Sequence, residues 1–253
     1  MMTTSIFDLN GRVAMVTGAN TGLGQAIAVA LAGAGADIVA VGRSEPSETQ
    51  AAVQKLGRRF LSVHADLGNT GTVSGVVDSA IAHFGQLDIL VNNAGIIRRS
   101  DAVDFTEGDW DAVIDVNLKS VFFLTQAAGR HMIRAGRGKV INIASMLSFQ
   151  GGIRVASYTA SKSAVAGLTR LLANEWAAKG VNVNAIAPGY FATSNTSALR
   201  ADENRNRDIL ARIPAARWGK PDDLGGAAVF LAAPASDYVH GAIIPVDGGW
   251  LAR

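Results

Sequence analysis

The sequence predicts an α/β fold, in which helices cover both faces of a parallel sheet of about seven strands. Apolar runs rich in β-branched residues alternate with helical patterns along the 253 residues. Such alternation is typical of βαβ units, and continuous apolar runs are typical of strands buried on both faces. Because no repeat, low-complexity segment or linker interrupts the pattern, we expect one domain over residues 1–253.

The individual elements follow from the apolar runs and from residues that start helices. Strands are expected at residues 12–17, 38–41, 60–65, 89–92, 140–145, 183–187 and 243–246. Helices are expected to begin near positions where Asn, Asp, Ser, Thr or Pro suits the first turn, namely Gly22, Ser47, Thr70, Trp110, Ser157, Asp202 and Pro221. Residues 190–212 interrupt the alternation, and we interpret them as a lid over the substrate side, with a disordered loop as the alternative.

Composition and charge exclude several classes of protein. A net charge of +2 without a block of Lys and Arg is not typical of nucleic-acid binding. The first eight residues lack a basic region followed by an apolar one, and no apolar run approaches the roughly 18 residues that span a bilayer. We therefore expect a soluble, cytoplasmic protein that binds neither nucleic acid nor membrane.

Metal and thiol chemistry are not expected either. The chain has no cysteine, which removes disulfides, thiolate zinc sites and thiol nucleophiles. Its histidines lie far apart, without the short spacings of metal ligands. They are His64, His83, His131 and His240. We predict no metal site.

A glycine-rich turn follows the first expected strand. Gly18, Gly22 and Gly24 frame Asn20, Thr21 and Leu23, and missing side chains at the three glycines allow a tight turn whose N–H groups approach a pyrophosphate. The next helix would point its N-terminus at the same place. An ordinary strand-to-helix turn is the alternative explanation.

Further nucleotide contacts are expected at the ends of the next strands. Asp66, beside Leu67, suits the adenine amino group, and the backbone of Asn93, Ala94 and Gly95 suits the adenosine ribose. These residues strengthen the case for a bound dinucleotide.

The choice between NAD and NADP depends on the end of the second strand. That strand ends Val41-Gly42-Arg43 and lacks the acidic residue that usually bonds the 2′-hydroxyl of NAD. Arg43 would bind the 2′-phosphate of NADP or stack on adenine, Glu45 would reach the ribose, or the arginine is simply solvated. These residues favour tolerance of NADP.

Ser145, Tyr158 and Lys162 form the expected catalytic group. Tyr158 and Lys162 are four residues apart and share a helix face, while Ser145 is expected at the end of the fifth strand. A tyrosine with a pKa of about 10 needs a nearby cation to move a proton at neutral pH. A lysine at about 4 Å, in an effective dielectric of about 20, favours the phenolate by about 4 kcal/mol, or roughly three pKa units, before desolvation is subtracted.

The pattern as a whole resembles the short-chain dehydrogenase/reductase family. It consists of Thr-Gly-x-x-x-Gly-x-Gly, Asn-Asn-Ala-Gly, Ser145, Tyr158-x-x-x-Lys162 and Pro188-Gly189, and it covers essentially the whole chain. The resemblance implies a doubly wound Rossmann-type sheet of parallel strands, an NAD(P) cofactor and a homotetramer. It also implies that Thr193 contacts the nicotinamide carboxamide and that Asn117 holds a water of a proton relay from Lys162.

A closer resemblance indicates the substrate class. Residues 97–99, 142–154, 187–190, 217–219 and 247–253 are similar to a bacterial subgroup that acts on sugar acids in pectin and uronate breakdown, mainly with NAD(H). Such substrates carry a carboxylate, which Arg154 or Arg98 would bind, while Gln150 would bond sugar hydroxyls. A surface or subunit contact is the alternative explanation for each of these side chains.

Two other functions stay open. One is a different keto-reductase of the family, such as a gluconate 5-dehydrogenase or a 3-oxoacyl-carrier-protein reductase. The latter would need a basic docking face, for which Arg130, Arg134, Arg137 and Lys139 are available. The other is a non-enzymatic nucleotide sensor, which the intact Ser145, Tyr158 and Lys162 disfavour.

Overall fold

The computed structural model describes residues 5–253, so residues 1–4 of the N-terminal stretch discussed above lie outside the described residues. Seven parallel strands form one sheet in the order β3-β2-β1-β4-β5-β6-β7. They are β1 (Val13–Thr17), β2 (Asp37–Gly42), β3 (Phe60–His64), β4 (Ile89–Asn92), β5 (Gly138–Ile143), β6 (Val181–Pro188) and β7 (Ile243–Val246). The predicted fold class is confirmed, and each predicted strand is present with small differences at its ends.

Nine α-helices connect the strands in the described part of the chain. They are α1 (Gly22–Gly33), α2 (Ser47–Lys55), α3 (Val73–Phe84), α4 (Glu107–Ile114), α5 (Ser120–Ala135), α6 (Ala156–Trp176), α7 (Ser197–Ala201), α8 (Glu203–Arg212) and α9 (Gly225–Ala232). Within residues 5–253, no helix is both long enough and apolar enough to cross a membrane.

Three predicted helix starts are displaced for local reasons. At Pro221 a 3₁₀ turn (Pro221–Leu224) forms first, and α9 starts only at Gly225. Helix α4 begins at Glu107, three residues before the predicted Trp110, because the Thr106 hydroxyl caps it by accepting from Asp109 N–H at 3.2 Å. At Thr70 a single 3₁₀ turn forms first, and α3 starts only at Val73.

Alternation along the central strands builds a core on each face of the sheet. In β1, Ala14 and Val16 pack with Leu31 of α1, whereas Val13 and Met15 belong to the cluster on the opposite face. Helices α1 and α9 therefore cover one face, and α3, α5 and α6 cover the other. All five strand residues are buried, which explains their continuous apolar pattern.

The strand order reverses between β1 and β4, and this places a crevice at their carboxyl ends. The side chain of Thr17, the last residue of β1, connects the end of β1 to the segment that follows β4. Its Oγ1 accepts from the N–H groups of Asn93 and Ala94, each at 2.9 Å. The chain segments after β1 and β4 are thus fixed relative to each other at the expected ligand site.

Residues 190–212 are largely helical, not an irregular loop, since they contain α7 and α8. The Asp202 carboxylate caps α8 by accepting from the N–H groups of Asn204 and Arg205, both at 3.0 Å. Ile209 of α8 is buried against Met146 and Trp250. The segment therefore rests beside Ser145, while its role as a lid stays a prediction.

Candidate active site

The glycine turn has the geometry that a pyrophosphate requires. Gly18 and Gly22 adopt φ values of 65° and 60°, which disfavour other residues. A Cβ at Gly24 would collide with the carbonyl of Gly18. Thr21 does not cap α1 through its side chain, and the first turn holds no acidic residue. Free N–H groups and the positive end of the helix dipole therefore face the turn, so these residues fit a dinucleotide.

The other predicted nucleotide-binding residues lie around this turn. A Cβ at Gly22 would lie 3.7 Å from Thr193 Cγ2, so Thr193 borders the glycine turn. Asn20 Nδ2 donates to Ser44 Oγ at 2.9 Å, which joins the turn to the end of β2. Pro188 ends β6, and a Cβ on Gly189 would contact Asp247 Cα at 2.6 Å, so only glycine lets these segments approach.

At the adenosine end, the structure is more open. Arg43 is exposed and forms no ion pair with the residues that the structure describes. Asp66 Oδ1 accepts from Gly68 N–H at 3.0 Å, and Leu67 beside it is buried. Gly42 leaves open space where a side chain would stand. Because residue 42 is a glycine, it provides no acidic side chain that would repel the 2′-phosphate of NADP.

Ser145 lies beyond the fifth strand, not at its end. Strand β5 stops at Ile143, and Ser145 continues in extended conformation before a short 3₁₀ turn. Its Oγ accepts from Leu147 N–H at 3.1 Å. The prediction that Ser145 ends the strand is wrong by two residues, because sheet pairing with β6 ends at Ile143–Ile186. The serine still reaches the carboxyl edge of the sheet.

Lys162 is buried on α6 beneath Tyr158. Its Nζ donates to the main-chain oxygen of Ile143 at 2.6 Å and lies 5.6 Å from the centre of the Tyr158 ring. Burial lowers the pKa of the Lys162 ammonium to about 8. The lysine can therefore gain and lose a proton close to neutral pH.

Burial also raises the pKa of the Tyr158 phenol. A hydrogen bond with the Ser145 side chain and the positive charge of Arg99 act in the opposite direction and lower this pKa. Burial is the largest of these effects on the phenol. The Nζ of Lys162 donates to the Ile143 carbonyl and lies 5.6 Å from the centre of the Tyr158 ring, and its own effect on the phenol, expected before desolvation is counted, stays a prediction.

Asn117 occupies a π-helical turn (Asp115–Lys119) between α4 and α5, whereas an ordinary helix was expected there. Its Oδ1 accepts from Ile96 N–H at 2.8 Å, and its Nδ2 donates to Ile96 O at 2.9 Å. The side-chain amide thereby fixes the loop after β4. Its role in a proton relay stays a prediction.

The three predicted substrate residues all have protein partners. Arg98 pairs with Asp109 and Arg154 with Asp101, each at 3.1 Å. Gln150 Oε1 accepts from Trp250 Nε1 at 3.2 Å and from an Arg212 guanidinium nitrogen at 3.3 Å. The role of these residues in substrate binding stays a prediction.

One group of buried polar residues was missed by the sequence reasoning. Asn92 Nδ2 donates to Thr125 Oγ1 and to Asn142 Oδ1, both at 2.8 Å, and Asn142 Nδ2 donates to Thr169 Oγ1 at 2.9 Å. The chain of bonds joins β4 and β5 to α5 and α6, which carry the site. Asparagines inside otherwise apolar strands were the available signal.

Metal ligands do not cluster in the part of the chain that the structure describes, since no three His, Asp or Glu side chains there could hold an ion together. The geometry instead gathers a serine, a tyrosine and a lysine beside a dinucleotide cradle. Such an arrangement defines an NAD(P)-dependent oxidoreductase that acts on CH–OH groups. The chain belongs to the short-chain dehydrogenase/reductase family, and a family model described as enoyl-(acyl carrier protein) reductase matches residues 18–251.

Similar proteins include two curated enzymes and one solved structure. The chain is 63% identical over 253 residues to 2-dehydro-3-deoxy-D-gluconate 5-dehydrogenase of Escherichia coli (strain K12), covering 100% of both chains. It is 42% identical over 246 residues to gluconate 5-dehydrogenase of Gluconobacter oxydans (strain 621H), covering 96% of each. A putative 2-deoxy-D-gluconate 3-dehydrogenase from Agrobacterium tumefaciens, solved with bound NADP, has a TM-score of 0.93 and 60% identity, over 98% of this chain and 100% of that one. The predicted family is confirmed.

Proposed function

We propose that this protein acts as a 2-dehydro-3-deoxy-D-gluconate 5-dehydrogenase, which interconverts a hydroxyl and a ketone at C5 of a 3-deoxy sugar acid. The main observation in support of this proposal is the 63% identity over the whole length of both chains. Identity to the gluconate 5-dehydrogenase is 42%. Catalytic residues are shared across the family and do not distinguish these substrates. The higher identity to the 2-dehydro-3-deoxy-D-gluconate 5-dehydrogenase over the rest of the chain therefore favours the deoxy sugar acid.

The nicotinamide supplies or accepts a hydride when the dinucleotide is bound. In the direction of reduction, the Tyr158 hydroxyl gives its proton to the oxygen of the former carbonyl, and the Ser145 hydroxyl holds that oxygen in place. The hydrogen bond from the Ser145 side chain assists this step because it lowers the pKa of the phenol, against the effect of burial, which raises it. Oxidation uses the same two groups in reverse.

Lys162 serves as the proton source behind Tyr158. With a pKa of about 8, its ammonium is more readily deprotonated near neutral pH than an ordinary lysine. Asn117, whose side-chain amide is bonded to Ile96, would complete the relay by holding a water between Lys162 and solvent. The proton lost to the substrate is thereby replaced from solvent.

For the cofactor, we propose NAD with tolerance of NADP. Gly18 to Gly24 would hold the pyrophosphate, and Thr193 the nicotinamide end. The open space at Gly42 and the exposed Arg43 are compatible with a 2′-phosphate. The 60% identical relative was solved with NADP.

The decisive experiment measures NADH and NADPH oxidation by the purified protein with three acceptors. These are 2,5-diketo-3-deoxygluconate, 5-ketogluconate and an acetoacetyl thioester. We expect the highest kcat/KM with the first. Preference for 5-ketogluconate would support a gluconate 5-dehydrogenase instead. No oxidation of NADH or NADPH with any of the three acceptors would contradict an enzymatic role on these substrates.

A carrier-protein reductase is supported only by the description of the family model. The basic residues available for docking are partly engaged, since Arg137 pairs with Asp88 at 3.1 Å and Lys139 with Asp237 at 2.7 Å. These contacts argue against a free basic face for an acidic carrier.

We also propose a homotetramer. Trp110, Phe123 and Leu171 are large apolar side chains on α4, α5 and α6 with 40%, 40% and 47% of their surface exposed. Exposed apolar groups on neighbouring helices are typical of subunit contacts.

A further inference from the structure

Thr49 lies on α2, outside the residues that are expected to contact the cofactor. Its side chain is fully buried, although threonine is a polar residue that is usually exposed. Its Oγ1 donates to the main-chain oxygen of Ala19, in the glycine turn, at 2.7 Å, and accepts from Gln25 Nε2, on α1, at 3.2 Å. One hydroxyl group therefore connects α2 to α1 and to the turn that precedes α1.

The Ala19 carbonyl depends on this hydroxyl because α1 does not reach it. At this end of α1, the first main-chain hydrogen bond runs from Gln25 N–H to the oxygen of Thr21 at 3.3 Å. Ala19 is buried, and a buried carbonyl without a donor is unfavourable. Thr49 therefore satisfies a main-chain group that the helix leaves without a donor.

The two preceding carbonyl groups of the turn are also held by a side chain. Asn93 Nδ2 donates to the oxygen of Thr17 at 2.8 Å and to the oxygen of Gly18 at 3.2 Å. With the bond from Thr49 to Ala19, three consecutive carbonyl groups are directed at protein donors. Their oxygens are thereby kept away from the expected position of the pyrophosphate.

The direction of the Ala19 carbonyl also sets the direction of the next N–H group. In a trans peptide, the C=O and N–H of one unit point in opposite directions. Because the Ala19 oxygen faces Thr49, the N–H of Asn20 faces away from it, and no main-chain oxygen of residues 5–253 accepts from this N–H. The reversed peptide would present an oxygen to a phosphate in place of a donor, and would repel it.

We propose that Thr49 is a positioning residue for the dinucleotide, whose hydroxyl holds the Ala19–Asn20 peptide with the N–H of Asn20 directed at the pyrophosphate. The proposal rests on the proposed cofactor cradle and is independent of which sugar acid is the substrate. Thr49 acts through the peptide, since its hydroxyl is buried and already bonded to Ala19 and Gln25. It raises cofactor affinity because a turn that is already in the binding form needs no reorganisation when the cofactor binds.

The test removes the hydroxyl and keeps the shape of the side chain. For Thr49→Val, we expect the Kd of the reduced dinucleotide, NADH or NADPH, to rise by about tenfold in a fluorescence titration, as for one lost buried hydrogen bond. At saturating dinucleotide, kcat and the KM of the sugar acid should change little. Thr49→Ser keeps the hydroxyl and should stay within about threefold of the wild type. An unchanged Kd in Thr49→Val would overturn the proposal.

Ser236 provides a matched control at the opposite edge of the sheet, where Lys139 at the start of β5 donates to it. Its hydroxyl is also fully buried, and it donates to the main-chain oxygens of Leu231 and Ala233, both at 3.1 Å. Ser236→Ala should lower the free energy of unfolding but leave the Kd of the dinucleotide unchanged. If Ser236→Ala weakens dinucleotide binding as much as Thr49→Val does, general loosening of the fold explains both results and the positioning role is wrong.

Two competitors of the dinucleotide separate the phosphates from the adenosine. ADP carries two phosphates, and adenosine carries none. Thr49→Val should weaken competition by ADP by about tenfold and leave competition by adenosine unchanged. Equal losses for ADP and adenosine would place the effect in the adenosine pocket and would contradict a role in directing an N–H group at the phosphates.

Binding and turnover test this role and the proposed function separately. If the wild type binds the dinucleotide in a manner that depends on Thr49 but turns over no sugar acid, the proposed function fails and the positioning role stands. If the wild type is active and Thr49→Val binds the dinucleotide equally well, the proposed function stands and the positioning role fails. A wild type that binds neither NADH nor NADPH would contradict both.

Discussion

Burial affects the two central residues of the site in opposite directions, because it disfavours the charged form of each. It raises the pKa of Tyr158 and lowers that of Lys162. Neutral phenol and neutral amine are both favoured relative to exposed side chains. Proton donation by Tyr158 therefore depends on the effects that oppose burial, among them the hydrogen bond with Ser145, and Lys162 exchanges its proton near pH 8.

We expect Tyr158→Phe to abolish turnover, because no other hydroxyl with a comparable position replaces the lost acid. General acids contribute about 10²- to 10⁴-fold to rate, so kcat should fall by at least about 100-fold. Dinucleotide affinity, followed by fluorescence titration, should stay nearly unchanged. Retention of more than about a tenth of wild-type kcat would contradict the assigned role.

Lys162 should make folding stability depend on pH. Its pKa is about 8 when folded and near 10.5 when unfolded, so the unfolded chain holds the extra proton between these values. Stability then rises with pH across this window. From pH 7 to 9.5, the free energy of unfolding of the wild type should rise by about 2 kcal/mol relative to Lys162→Met. Urea titrations of both proteins without dinucleotide measure this difference in the free energy of unfolding. The prediction is refuted if the free energies of the two proteins change in parallel with pH.

At the scale of elements, α1 and the end of β1 form the cofactor cradle through one close approach. The position of a Cβ at Gly24 is occupied by the Gly18 carbonyl, and Asn93 Nδ2 donates to the same oxygen at 3.2 Å. The end of β4 is held by the same atoms. A substitution at Gly24 would therefore affect α1 and the ends of β1 and β4 together.

Gly24→Ala should widen this junction and displace the N–H groups at the start of α1. We expect the free energy of unfolding to fall by about 1–3 kcal/mol and dinucleotide affinity to weaken by about tenfold or more. Gly33→Ala, on the same helix, is the matched control because a Cβ there meets nothing within 4 Å. It should stabilise the protein by about 0.5–1 kcal/mol and leave affinity unchanged. Equal effects of the two substitutions would argue against the close-approach explanation.

At the scale of the whole molecule, the helical layer on one face of the sheet carries exposed apolar side chains on its outer surface. Phe123 and Leu171 lie on α5 and α6, whose buried residues pack on the same face of the sheet. The core on that face is already complete beneath them. Their exposure is explained if another copy of the chain covers them.

Replacing both side chains, as in Phe123→Glu with Leu171→Glu, should dissociate the proposed tetramer because its four chains would bring like charges together in a desolvated interface. Sedimentation velocity should show the mass of four chains for the wild type and a smaller species for the variant. Leu56→Glu, at a similarly exposed apolar residue beyond α2, should leave the mass unchanged. A monomeric wild type would contradict the tetramer.

The sequence alone determined the seven parallel strands, the glycine turn and the spacing that places Tyr158 above Lys162. Each depends on local periodicity or on a few neighbouring residues, which physical rules connect directly to structure. Even here the boundaries moved where pairing or capping decided them, as at Ser145 and Glu107. The family was recognisable because its motifs occupy these locally determined positions.

Only the tertiary structure decided which charges meet. It pairs Arg98 with Asp109 and Arg154 with Asp101, and it directs Lys162 Nζ at the Ile143 carbonyl, with Nζ 5.6 Å from the centre of the Tyr158 ring. Neighbouring arginines are equivalent in sequence, but their partners come from other loops and helices. Burial and distance between remote segments set their electrostatics, and neither can be computed before the chain is folded.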